Sequence, residues 1–148
     1  MCLTALLDFR LGLTYLSSMD ASEKLPKEWF LQADYDMDTA QYMFDGGRYF
    51  YCIFMCHLSL EKALKGLYRA KLKSDPPKIH NLLYFVGKLA LKMPGELEDH
   101  INRLNNLSIP TRYPDDLRRM SREFDNRRTE AALLATKKVL KWLKLQLP

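Results

Sequence analysis

Three polar residues stand one helical turn apart in an otherwise apolar run: His57, Glu61 and Lys65, within YCIFMCHLSLEKALKGLY at 51–68. Residues four apart share a helix face, so imidazole, carboxylate and ammonium form one line. Glu before Lys is the favourable order for an ion pair, contributing roughly 0.3–0.5 kcal/mol when exposed. On spacing alone the triplet reads as a helix edge with one salt bridge and a hydrogen-bonded histidine. His57 and Glu61 are two ligands at helical spacing, too few for a metal site, and no metal or cofactor is expected.

Two further places carry chemistry. His80 lies in KIHNL at 78–82 and Arg112-Tyr113 in TRYPDD at 111–116. A guanidinium grips phosphate well; Arg112 serves that purpose or tethers its loop through backbone carbonyls. Tyr113 packs or stacks on a base. His80 contacts a ligand, caps the following helix or holds the Pro76-Pro77 loop. Asp34 and Asp38, four apart, repel unless a cation intervenes; they are read as solvent-facing or paired with a basic side chain. His100 is assigned to a solvated face without a role, and Trp142 to core or subunit surface.

The 148 residues, 47% apolar and 28% charged, suit one globular domain with a core of its own. The net charge of +5 is uneven: residues 112–144 hold ten Lys/Arg against five Asp/Glu. That surplus fits either an anionic partner or a solvated helix face. Cys2, Cys52 and Cys56 are an odd count, with two in an apolar run, which argues against a disulfide framework. Cys52 and Cys56 also lack a second pair for zinc. They read as buried small hydrophobes in a reducing, cytoplasmic setting. The first residues, MCLTALLDFRLGLTYLSS, are broken by Asp8 and Arg10; they match neither a signal peptide nor a membrane span. Residues 1–18 are therefore expected to be a loosely attached extension, as from an upstream start codon, and 19–148 the domain.

The elements that must position these groups are helices. Trp29, Phe30, Ala33, Met37, Ala40 and Phe44 recur at three- and four-residue spacing, with Asp34, Asp36, Asp38 and Gln41 between them. This predicts a helix over about 26–45, with Pro26 in its first turn and Gly46-Gly47 ending it. A second runs from about 49 to 72; its start, apolar all round, should be central, covered by other helices or a second subunit. Asn81 caps a third, with Leu82, Leu83, Val86, Leu89, Ala90 and Met93 on one face until Pro94-Gly95. A short fourth carries Leu97, Ile101, Leu104 and Leu107. After a loop at 108–116, Leu117, Met120 and Phe124 form a turn or two feeding the last helix, which Asp125 or Asn126 caps and whose face is Ala131, Leu134, Ala135, Val139 and Trp142. The expectation is an all-α, antiparallel up-and-down bundle of four main helices plus a short fifth.

The order of these pieces resembles the HEPN family (higher eukaryotes and prokaryotes nucleotide-binding domain): CHLSLEKALKGL after a Gly-Gly-Arg-Tyr turn, then Ile-His-Asn-Leu, then Arg-Tyr-Pro, over about 26–147. The resemblance implies an antiparallel helical bundle, often a homodimer, often beside a small nucleotidyltransferase in a toxin–antitoxin pair. It also implies that His57, Glu61, Lys65, His80 and Arg112 line a cleft for a nucleotide or RNA; Tyr113, next to Arg112, is counted with them as a ligand-binding candidate for its ring. Catalytic members carry an Arg, four to six residues, then a His. Before His57, His80 and His100 those offsets hold Phe50-Tyr51-Cys52, Lys73-Ser74-Asp75 and Met93-Pro94-Gly95. A metal-independent ribonuclease needs a proton-transfer group and a phosphate-binding cation; here the linked pair is missing. The expectation is a non-catalytic nucleotide- or RNA-binding regulatory module, with no membrane role. The alternatives are a ribonuclease with a rearranged His/Arg site and a purely structural dimerising bundle.

Overall fold

The computed structural model describes residues 21–107 and 117–148. Among these the chain is all-helical: α1 (Ala21–Asp45), α2 (Tyr49–Leu72), α3 (Leu82–Lys88), α4 (Gly95–Leu107), α5 (Leu117–Glu123) and α6 (Asn126–Lys144). The extension expected at 1–18 lies outside the described residues. None of the described helices is long and apolar enough to cross a membrane.

Helix α2 is the axle. Ile53, Cys56, Leu60, Leu64 and Leu67 are fully buried, because α1 and α6 pack on it most extensively and α3, α4 and α5 also lie against it. The α1–α2 turn follows from Gly46-Gly47. Gly47 takes a φ of 68°, and the amides of Gly47 and Arg48 donate to the Phe44 and Met43 carbonyls. This is the paired closure of a Schellman motif, in which a left-handed residue satisfies the last helical carbonyls. The hairpin then closes tightly on small residues. Ala33 and Ala40 are fully buried, and the Ser59 hydroxyl donates to the Ala33 carbonyl at 2.7 Å.

Several elements depart from expectation. Helix α1 begins at Ala21, so Pro26 lies inside it. Helix α3 stops at Lys88, seven residues in, where Ala90 adopts a φ of 48°; α4, with 13 residues, is the longer of the two. The core face of α3 is Leu82 and Phe85, whereas Leu83 is exposed. Helix α5 is separate from α6 because the Asp125 carboxylate caps α6, accepting from the Arg128 amide at 2.8 Å. The buried face of α6 is Thr129, Leu133, Thr136, Val139, Leu140 and Leu143, about one residue out of phase with the expected stripe; Leu134 is 53% exposed. Two threonines can occupy that face because each returns its hydroxyl proton to the carbonyl four residues back. His100 is buried beside Ile101, not solvated.

Gly66 marks the closest approach in the hairpin: a Cβ there would lie 2.9 Å from a Phe30 ring carbon and 3.0 Å from the Trp29 Cβ. Alanine in place of glycine favours a helix by about 1 kcal/mol, but overpacking a core costs about 1–3 kcal/mol, and the Trp29 Cβ cannot swing aside. Gly66→Ala is expected to lower stability by about 1–2 kcal/mol in equilibrium urea unfolding. An unchanged or higher midpoint would mean that the hairpin relaxes freely.

Candidate ligand site around Glu61

The polar stripe of α2 does not lie at a solvated edge. His57, Glu61 and Lys65 are all buried, Glu61 at 3% exposure. The connection from α2 to α3 folds back over them. Lys73 turns the chain with a φ of 55°, Arg69 pairs with Asp75 at 3.0 Å, and Asn81 caps α3 by accepting from the Tyr84 amide. Helix α4 fixes the same corner: Asn105 accepts from the Leu82 amide at 2.7 Å. His80, between these anchors, is held onto α2.

Glu61 is the centre. Its Oε1 accepts from Lys65 Nζ at 2.8 Å, and His80 Nδ1 lies 3.1 Å from Oε1 and 3.0 Å from Oε2. His57 Nδ1 stands 3.8 Å from Oε2, beyond hydrogen-bond range but within electrostatic reach. The Lys65 ammonium also sits 5.8 Å from the Phe85 ring centre and 6.0 Å from that of Trp29, a cation between two aromatic faces. The His80 side chain is 55% exposed. The carboxylate therefore accepts a hydrogen bond from Nδ1–H and leaves Nε2 for an incoming group, an arrangement known from carboxylate-oriented imidazoles in acid–base catalysis.

The two buried carboxyls nearby are driven in opposite directions. Burial pushes Glu61 upward, but hydrogen bonds from Lys65 and His80, together with their charge, hold its carboxyl below the usual range. Asp36 on α1 is pushed up, chiefly by burial, with Lys62 opposing and Glu61 adding to the shift. Asp36 is 7% exposed, and its Oδ2 is buried without a hydrogen-bond partner. No cluster of three or more His, Cys, Asp or Glu suited to a metal ion occurs among the described residues.

Of the site residues read from the sequence, His57, Glu61, Lys65 and His80 come together, and only His80 among them is exposed. Arg112 and Tyr113 lie outside the described residues. Asp34 pairs with Lys144 of α6, and Asp38 is exposed. Sequence reasoning missed Asp36, Trp29 and Phe85. For Asp36 a signal existed: it falls on the same helical stripe as Ala33 and Ala40, the alanines that meet α2.

Removing one partner of a buried ion pair strands the other charge, at about 3–5 kcal/mol. Glu61→Ala should therefore destabilise the fold by about that much near neutral pH. Because the folded Glu61 carboxyl titrates lower than in the unfolded chain, its contribution is complete above the ordinary glutamate range and lost as pH falls through the folded value. Thermal melts against pH should show that acid loss in the wild type and its absence in Glu61→Ala; equal stability at pH 7 would contradict the network. Asp36 has the opposite sign. Its raised folded value means that it opposes folding at neutral pH and ceases to do so in acid. Asp36→Ala should raise the melting temperature at pH 7, with the gain shrinking as pH falls; a lower melting temperature at pH 7 would show that Lys62 outweighs the burial.

The HEPN domain pattern matches residues 26–146. Similar solved structures include TT1696 from Thermus thermophilus, at 26% identity and a TM-score of 0.70 over 82% of this chain and 98% of that one. Another is ST0689, an archaeal HEPN homologue, at 20% identity and a TM-score of 0.64 over 83% of this chain and 98% of that one. No curated protein matches the sequence. With the pattern extending over all the helices described above from Pro26 to Gln146, the chain belongs to the HEPN domain family.

Proposed function

We propose that this chain is a binding and regulatory module whose ligand is the phosphate-bearing part of a nucleotide or an RNA, met first by His80. The observation that carries this reading is the use of a buried carboxylate, through both oxygens, to orient a half-exposed imidazole. Lys65 and His57 then act by positioning: Lys65 fixes the Glu61 charge, and both residues are too buried to be the first contact. Arg112 and Tyr113 supply the guanidinium and the stacking ring in this reading. A small nucleotidyltransferase in a toxin–antitoxin pair is the proposed protein partner, and a homodimer the proposed assembly. The buried free thiols Cys52 and Cys56 agree with a reducing, cytoplasmic setting.

A second reading has one specific observation in its favour. A carboxylate-held histidine with a free Nε2 is also a competent general acid–base for RNA cleavage, with Arg112 as the phosphate cation. Calorimetric titration with ATP and a short single-stranded RNA, followed by gel analysis of the RNA, separates the two. Binding that weakens at least tenfold in His80→Ala, with intact RNA, is the expected result. RNA cleavage abolished by His80→Ala would favour the enzyme, and equal binding by wild type and His80→Ala with the RNA intact in both would remove both.

A further inference from the structure

A second concavity, sharing no residue with the Glu61 cluster, opens between α4, α5 and α6. It holds about 500 Å³, within the span of about 300–1,000 Å³ usual for small-molecule pockets. Its apolar surface comes from Leu104 and Phe124 and from alanines, including Ala132 and Ala135, whose small side chains leave the hollow. Among the described residues its charge comes from Arg103 and Arg128 against Glu123. Arg103 has no ion-pair partner among the described residues, and the Arg128 guanidinium spends one donor on the Glu123 carbonyl at 2.9 Å. The wall also includes His100, a buried side chain. Its Nε2 lies 2.8 Å from the Thr136 hydroxyl oxygen; that hydroxyl already donates to the Ala132 carbonyl, so Nε2 must carry the proton. Burial, aided by Arg103, lowers this histidine to about 4, so near neutral pH it is uncharged and its Nδ1 is an acceptor without a partner among the described residues.

We propose that this concavity is a second ligand site, for a small organic anion with an apolar, ring-sized body. The hollow takes the body, Arg103 and Arg128 take the acid group, and the neutral His100 accepts from a donor on the ligand. An apolar guest without charge leaves the guanidinium surplus uncompensated, and inorganic phosphate leaves the hollow unfilled.

The probe is 8-anilinonaphthalene-1-sulfonate, an aromatic ring system bearing one anionic group, titrated by fluorescence into protein whose near-ultraviolet circular dichroism confirms native packing. One saturable equivalent per chain is expected, weakening as salt is raised. Arg103→Gln with Arg128→Gln should reduce affinity at least fivefold. Ala135→Leu, which fills the hollow, should abolish binding while leaving the melting temperature unchanged or higher. Should Ala135→Leu fail to fold, the arginine pair, exposed at the surface, still decides the matter. Wild-type affinity in the arginine double variant overturns the proposal, as does loss of dye binding in His80→Ala, which would merge this concavity with the Glu61 site.

Discussion

A carboxylate removed from water needs compensation, and much of this molecule's central architecture answers that need at Glu61. The group sits at the middle of the most enclosed helix. Its compensation comes from its own helix through Lys65 and from the α2–α3 connection through His80. Isolated burial of such a charge would be prohibitive; shared among an ammonium and an imidazole, it becomes a tie that fixes the path of a segment otherwise poor in regular structure. The same arrangement that stabilises the connection decides which way the imidazole faces. The path of the connection and the orientation of the imidazole are thus two consequences of one electrostatic requirement.

That requirement is met only because α1 and α2 approach closely. Ala33, Ala40, Ser59 and Gly66 are the small residues of the seam. Their size brings Trp29 against the Lys65 ammonium, with Phe85 of α3 on that cation too. Asp36 lies on the same stripe and is the one member without a satisfied role there. Its side chain senses both Lys62 and Glu61, so the seam carries a charge problem solved on one side and left open on the other.

Much of this was legible in the residues. Helical period, the Gly-Gly stop and the Asn81 and Asp125 caps follow from local chemistry that tertiary packing had no reason to override, as does the line of His57, Glu61 and Lys65 on one helix face; that His80 meets that line was implied only by the family resemblance. The misses share a cause. Helix α6 was phased by its apolar residues, whereas its core face includes Thr129 and Thr136, which become acceptable only once their hydroxyls find backbone carbonyls. His100 was placed in water because its partner, Thr136, is 36 residues away. Asp36 was placed among polar neighbours although its stripe is that of the buried alanines. In each case a polar residue took a core position, and only the fold could say what made that tolerable. The burial of Lys65 was hidden in the same way, since its aromatic neighbours come from α1 and α3.

The glycine turn at 46–47 has a consequence for the order of assembly. It joins two long helices through a loop so short that closing it costs little chain entropy, and contacts of low sequence separation form early. A ribosome releases the whole hairpin before it releases His80. Without the 73–81 segment the Glu61–Lys65 pair would lack its imidazole partner, so the docking of that segment completes the electrostatic surroundings of the hairpin's buried charges.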